Sequence, residues 1–461
     1  MNTRVVLLLI ISGTYLFWQS QGLPLCMGAS VVYAEDRNGG RTWKTLDELS
    51  ADEKARIDFS EQAPRHPEIP YLPAEPYPFQ PPFTAEEMGY RLMEFTQRPR
   101  WSSAFANLFG SITSQGFLLG QGQAVNLVAY PSPKGVAEEL ARKPGEEIYR
   151  QLTQHLFPPE AYGSQNLVVR YRTDKDSIKK EDMFFYSPSI RRVRHQNQLH
   201  RGDRYPSMAQ SFDDSSGRSA WEFSWRLLGT DVLYETVRFP HTRPRVIVTE
   251  SDGSLHEVPT KDLKLMGADY PFYTPDGGIE CYVVEARARE DWLPNYYAPR
   301  ILYWLDTHAF FPLRTELYGR DGKLMQVDVR LTKLVNPEVG ERGYSPFIIV
   351  AWDMAADLLT YIIRDGIRLM RWSTAEVFTF FQPDFMRRQW LVTPIKSQLR
   401  VNTPEEFFLR PALEREKFPT ERHIQLSPAL EERIRAQEAA GQLVFDSLQP
   451  QPVQQVVSTR E

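Results

Sequence analysis

Two cysteines in 461 residues, Cys26 and Cys281, are too few for a disulfide framework. If the first is removed with a leader, Cys281 has no partner in the chain, and an oxidising compartment adds nothing to stability. A basic excess is missing as well. Lys and Arg total 54 against 59 Asp and Glu, a formal net charge of −5. A phosphate-binding surface wants the opposite balance, so no nucleic-acid partner is expected. No apolar run reaches the roughly 20 residues that cross a bilayer as a helix. Catalytic patterns are also absent: there is no H-E-x-x-H and no G-x-S-x-G. Gly120-Gln121-Gly122 lacks the further glycines and the lysine of a phosphate loop. His195 and His200 lie five apart in a loop-like stretch and read as solvated side chains rather than metal ligands. Asp213-Asp214, ahead of Ser215-Ser216-Gly217, reads as turn chemistry rather than a catalytic carboxylate pair. No enzyme, metal or cofactor is expected.

What is present begins with composition: 42% apolar and 12% aromatic residues are enough for a sizeable core. Arg4 precedes an apolar run, Val5 to Trp18, and small residues then lead to Val32-Tyr33-Ala34 before Glu35-Asp36-Arg37. That order predicts a secretory signal peptide over 1–34 and a mature periplasmic chain from Glu35. Cys26 raises the alternative of lipidation and outer-membrane attachment, although Leu25 before it is larger than a lipidation site normally has. From Pro64 to Pro82 there are eight prolines in 19 residues, which excludes helix and central strand. Residues 35–83 therefore read as an extended arm, either wrapped on the surface or acting as a tether.

Thr84-Ala85-Glu86-Glu87 has the form of a capping box, and Met88, Leu92 and Phe95 follow at helical spacing. Segment 101–130 carries no clear period. From Asn166 the pattern becomes one of strands, at 166–172 and 182–186. Trp221, Phe223, Trp225 and Leu227 then alternate strictly with Glu222, Ser224 and Arg226. One dry and one wet face is the habit of an antiparallel sheet. Further strands are predicted at 232–239, 244–250, 279–287, 299–306, 312–318 and 323–332. Turn chemistry lies between them at Ser251-Asp252-Gly253, Asp276-Gly277-Gly278 and Gly319-Arg320-Asp321-Gly322. The absence of long intervening helices excludes βαβ units. After Pro337 the apolar run Trp352 to Arg364 reads as a helix. A second helix opens at Ser427-Pro428 and ends at Gly441, and 446–461 reads as a polar frayed tail.

Two features carry functional expectations. The aromatic strand face comprises Phe184, Tyr186, Trp221, Phe223, Trp225, Tyr282, Val284, Tyr303 and Leu305. It is either a core covered by helices or the wall of an apolar ligand cavity. Burying about 12 methylenes of an acyl chain would gain roughly 10 kcal/mol before association costs. The second feature is basic: Arg191, Arg192 and Arg194, then Arg201 and Arg204. These either pair with the many carboxylates or meet an anionic headgroup or an acidic partner. Cys281 alternates with apolar neighbours and reads as a buried, inert thiol.

Four segments carry a family resemblance. Met183-Phe184-Phe185-Tyr186-Ser187-Pro188-Ser189-Ile190-Arg191-Arg192-Val193-Arg194 resembles the W-x-Y-x-P-x-x-R-R-V-R segment of the outer-membrane lipoprotein-sorting superfamily, with Phe184 in place of the tryptophan. Ala298 to Asp306 resembles its strand ending in Trp-x-Asp, and Pro312 to Leu324 resembles the hairpin that follows. Ser219 to Gly229 is similar to a segment of one branch, the domain of unknown function 1329. The resemblance spans residues 160–335. It implies a mainly β (α+β) fold: an incomplete antiparallel β-barrel with helices covering the open side. Around this lie the Pro-rich arm at 35–83, the barrel domain at 84–340, a helical C-terminal extension at 341–445 and the tail. It also implies a periplasmic carrier of a lipid, acyl chain or other hydrophobic molecule, serving an inner-membrane transporter or an outer-membrane protein. The alternative is a structural adaptor of the envelope whose barrel is filled by its own side chains, binding its partner through the arm and the C-terminal helices.

Overall fold

The computed structural model describes residues 43–387, except 61, 97–100, 114–117, 133–134, 136–138, 158, 197–199, 206, 234–244, 250–254, 260–264, 267–269, 276, 335–343 and 370–371. The signal-peptide region with Cys26, the turn at Ser251-Asp252-Gly253, the helix expected from Ser427 and the 446–461 tail lie outside the described residues.

The chain begins with β1 (Lys44–Thr45), α1 (Ala51–Ala55) and α2 (Ala85–Arg91). Six strands follow: β2 (Ser103–Thr113), β3 (Leu118–Ala129), β4 (Glu147–Phe157), β5 (Gln165–Tyr171), β6 (Glu181–Ser187) and β7 (Arg192–Gln196). A short α3 (Phe212–Ser216) precedes β8 (Phe223–Leu233), β9 (Arg245–Thr249) and β10 (Leu255–Pro259). The remaining strands are β11 (Ile279–Ala288), β12 (Arg300–Asp306), β13 (Pro312–Tyr318), β14 (Leu324–Leu334), β15 (Tyr344–Asp353) and β16 (Leu358–Leu369). Two helices, α4 (Thr374–Phe380) and α5 (Pro383–Met386), close the described chain.

Fourteen strands form one sheet in the order β1-β8-β11-β12-β13-β14-β15-β16-β2-β3-β4-β5-β6-β7, and β9 and β10 pair apart from it. Every ladder between neighbouring strands is antiparallel. Two meanders, β2 to β7 and β8 to β16, meet where β16 pairs with β2. The sheet is not closed into a barrel, because its ends are β7 and the short β1. Consecutive strands β7 and β8 therefore lie at opposite ends, and the chain from 197 to 222 must cross from one to the other.

The expected strands at 166–172, 182–186, 279–287, 299–306, 312–318 and 323–332 are all present, within a residue or two of their predicted limits. The 232–239 expectation is met only as far as Leu233, where the description of β8 ends. The apolar run Trp352–Arg364 is a correction: it is not helical but the end of β15, a turn and most of β16. Asp357 makes the turn at a positive φ of 48°. Thr360 and Tyr361 are both buried although they point to opposite faces, so the period-two signal of a half-wet strand is missing. The helical extension expected over 341–445 thus begins with two central strands. Segment 101–130 forms β2 and β3.

The helix expected at Thr84 is α2, with its box complete. Glu87 N–H donates to Thr84 Oγ1 at 3.1 Å, and Thr84 N–H donates to the Glu87 carboxylate at 2.8 Å. It continues as a π-helical turn, Leu92–Thr96. The helix and the arm lie on the face of β8 and β11–β13 that carries Trp225, Val284 and Tyr303. Leu72, Phe79 and Phe83 of the arm are buried there with Met88 and Leu92. The opposite face of β3–β6 is covered by α4 and α5, through Val377, Phe380, Phe381 and Phe385.

Candidate ligand-binding cavity

The pairing registers show which side chains share a face. Trp225 pairs with Ala286, Val284 with Tyr303, and Tyr303 with Thr315, which pairs with Asp328. Asp328 and Arg330 alternate along β14, Arg330 pairs with Ile349, and Ile349 with Ile362. The face continues through Phe109 of β2. One face thus runs across the sheet, and its two halves are occupied differently.

Over β8 and β11–β13 the face is filled by α2 and the arm. Over the other nine strands, β14 to β7, every strand contributes to a single cavity of about 550 Å³. Nine strands laid flat would span about 38 Å, so the sheet must curl strongly for all of them to reach so small a space. Phe105, Phe109, Val168, Met183, Phe185 and Ile362 supply apolar wall. A polar band crosses it. Thr153 Oγ1 donates to Asn126 Oδ1 at 2.7 Å, Gln151 Nε2 donates to the same oxygen at 3.1 Å, and the Asn166 amide meets His155 Nε2 at 3.1 Å. Burial pushes the His155 pKa down, which favours its neutral form.

The fourth wall comes from the chain that crosses between the sheet's ends: Arg204, Tyr205, Met208, Gln210 and Phe212 all line the cavity. Ala209 N–H donates to Thr360 Oγ1 at 2.7 Å, Thr360 meets Ser111 at 2.7 Å, and Arg204 pairs with Asp353. Tyr205 packs on Phe212 with ring centroids 4.0 Å apart.

A buried polar partition built on α3 separates the filled half from the open one. Asp213 accepts from Lys180, from Arg201 at 2.8 Å and from Tyr296 at 2.7 Å. Arg201 also grips both oxygens of Glu222, at 2.6 and 2.8 Å. Asp214 accepts from Arg218 and, at 3.2 Å, from Gln326, which also donates to Asp328 at 2.8 Å. Burial works against ionising Asp213, but Arg201, Lys180 and Arg218 hold its carboxyl well below the usual range. Arg201 does the same for Glu222 against the same penalty. These charges satisfy one another, which is the condition for burying them.

Two cavity-lining cations are placed differently. Arg330 is buried on β14, and Arg364 stands on β16 over the Phe105 ring at 4.9 Å. The Nε of each is buried without a hydrogen-bond partner. Among the described residues neither side chain has a hydrogen bond or an ion pair.

None of the nine aromatic or apolar residues expected to line a cavity lines this one. Trp221, Phe223, Trp225, Tyr282, Val284, Tyr303 and Leu305 belong to the filled core. Trp221 lies in a 3-10 turn just before β8. Phe184 and Tyr186 lie on the right strand but on its other face, against α4 and α5, while Met183 and Phe185 reach the cavity. Arg191, Arg192 and Arg194 are exposed on the free edge strand β7 and its turn, outside the cavity wall. Arg201 pairs with carboxylates, and so does Arg204. Asp213-Asp214 form the first turn of α3 rather than a surface turn. His195 Nε2 meets Asp182 at 3.1 Å, and Cys281 is a buried thiol whose Sγ donates to the Ile279 carbonyl at 3.5 Å. No cluster of metal-ligating side chains occurs among the described residues.

A sequence profile of the DUF1329 family, described as a protein of unknown function, matches residues 73–357. No protein of curated function matches the chain. The chain is similar to the solved structure of a DUF1329 family protein from Desulfovibrio piger, at 14% identity over 65% of this chain and 95% of that one, with a TM-score of 0.44. It is also similar to an outer membrane lipoprotein-sorting protein domain from Vibrio parahaemolyticus, at 13% identity, 63% and 94% coverage and a TM-score of 0.41. A LolA superfamily protein from Nitrosomonas europaea aligns at 13% identity, 66% and 99% coverage and a TM-score of 0.37.

Proposed function

The chain belongs to the DUF1329 family, and from that premise we propose that it is an exported, non-catalytic binding protein that carries a lipid, acyl chain or other hydrophobic molecule through the periplasm. The observation that carries this reading is the cavity of about 550 Å³ on the inner face of the curled sheet. That volume lies in the range of sites for small molecules, about 300–1,000 Å³. Its aromatic and aliphatic wall provides affinity by burial alone, at roughly 25 cal/mol per Å² of apolar surface. Arg204, Tyr205, Met208, Gln210 and Phe212 add a further wall beside the strands. Exposed Arg191, Arg192 and Arg194 on the free edge strand would face an acidic surface of an envelope partner, such as a transporter that loads the carrier. The filled half of the inner face favours an adaptor, the second reading, if the cavity is never occupied.

Native mass spectrometry of the mature chain, purified from periplasm without detergent, tests the carrier directly when followed by lipid extraction. A stoichiometric hydrophobic molecule is expected. An empty protein that also fails to take up the neutral probe N-phenyl-1-naphthylamine would overturn the carrier and leave the adaptor.

A further inference from the structure

We propose that the cavity takes an amphiphile with one anionic head, a carboxylate or a phosphate, and that Arg330 and Arg364 bind that head. The inference rests on the carrier reading and names its ligand class. The two arginines lie on β14 and β16, one strand apart on the same inner face, with Ile349 of β15 between them in register with both Arg330 and Ile362.

Elsewhere in the molecule three largely buried guanidinium groups meet carboxylates, while Arg172, away from the cavity, meets the Tyr71 hydroxyl and the Trp221 ring. Arg314 donates to Glu316 at 2.6 Å, Arg201 holds Glu222, and Arg218 holds Asp214. Arg330 and Arg364 have no such partner among the described residues, although the Nε of each is sealed from solvent. The acids near them are committed. Asp214 serves Arg218 and Gln326, Asp353 serves Arg204, and Asp328 is engaged by Gln326 and is pushed towards its neutral form. Two cations thus face one cavity wall without a full countercharge, and their mutual repulsion, after burial, lowers the pKa of Arg364 to about 10. A buried uncompensated charge is costly, and a bound anion would offset that cost while gaining charge-assisted hydrogen bonds. Arg is the residue suited to this, since its planar fork matches carboxylate and phosphate oxygens. The apolar part of the ligand has a continuous path from the same place, over Phe105, which already stacks on Arg364, towards Phe109 and Phe185.

The test is displacement of N-phenyl-1-naphthylamine from the full mature chain at pH 6 by three ligands with the same twelve-carbon chain: dodecanoate, dodecyl phosphate and dodecanol. At least one anion should bind about tenfold or more tightly than dodecanol, the scale of one or two hydrogen bonds to a charged group. The ratio between the two anions then separates a fatty-acid source from a phospholipid-like head. In Arg330→Met and Arg364→Met the ratio of anion to dodecanol affinity, measured within each variant, should collapse to within about threefold, and Arg364→Lys should restore part of it. Equal affinity for dodecanol and both anions in the unaltered protein would overturn the head assignment and leave the carrier standing. No uptake of the probe or of any of the three would overturn the carrier itself. The comparison in the unaltered protein decides the matter even if a variant fails to fold.

Discussion

Asp328 and Arg330 are two residues apart on the inner face of β14, and the carboxyl is governed by its burial more than by that neighbour. Desolvation, with the Asp214 carboxylate close by, pushes the Asp328 pKa up to about 7 against the opposing pull of Arg330 and Arg218. The folded protein therefore holds this proton more tightly than the unfolded chain, whose Asp titrates near 4. Between those values the native state binds more protons, so stability falls as pH rises. The cost is absent below about pH 4 and complete above about pH 7, on the order of a few kcal/mol. Asp328→Asn removes it. In urea melts, the variant should match the unaltered protein near pH 4 and exceed it at pH 8. A difference that does not change with pH would show that Asp328 is ionised throughout. None of this was legible in the sequence, where 323–332 reads as a strand and nothing local separates a polar side chain facing water from one facing the interior. Asp213 and Asp214 misled in the same way. A polar residue facing an internal cavity or partition has the same pattern as one facing water, because periodicity reports faces and not what lies beyond them.

At the scale of elements, the capping box of α2, the turn at Gly319–Gly322 and most strands follow from local chemistry, and local chemistry was enough to find them. What it could not supply was the face of each strand that meets each neighbour. On β6 the aromatic residues Phe184, Phe185 and Tyr186 occupy both faces, so the alternation itself is ambiguous and only the packing of α4 and α5 resolves it. The seating of α2 shows how closely an element can be fitted. A Cβ added to Gly89 would lie 2.2 Å from Cδ2 of Trp225, whose ring is fixed by an indole N–H donated to the Ala220 carbonyl at 2.9 Å. In a free helix Gly→Ala is stabilising by about 1 kcal/mol. Here the clash should win, and Gly89→Ala should destabilise by about 1–3 kcal/mol, read as a lower thermal midpoint. A rise in that midpoint would mean that α2 does not sit against Trp225. Probe uptake per folded molecule should be unaffected, because Gly89 and Trp225 lie outside the cavity.

On the scale of the whole molecule, the same inner face does two jobs, and the topology explains why. The β2–β7 and β8–β16 meanders join through β16 and β2, which leaves β7 and the β1–β8 end unjoined. The chain from 197 to 222 then has to cross the inner side. Its helix α3 becomes the charged partition, with the N-terminal arm and α2 packed on one side and the cavity left on the other. Sequence patterning found the open antiparallel sheet, since strand spacing and turns are local. The joint between β16 and β2 is a long-range pairing with no local trace, so the cavity was assigned to the aromatic half that α2 fills. Stability and binding should therefore separate by half. Val168→Trp, in the open half, should cut uptake of N-phenyl-1-naphthylamine by about tenfold or more and move the thermal midpoint little, because the new ring enters space that the fold leaves unfilled. Trp225→Ala, in the filled half, should cost about 3–5 kcal/mol while each remaining folded molecule still binds the probe. If Val168→Trp binds normally, the ligand lies elsewhere. If Trp225→Ala abolishes binding in protein that stays folded, the two halves are one site, and α2 must move to admit the ligand.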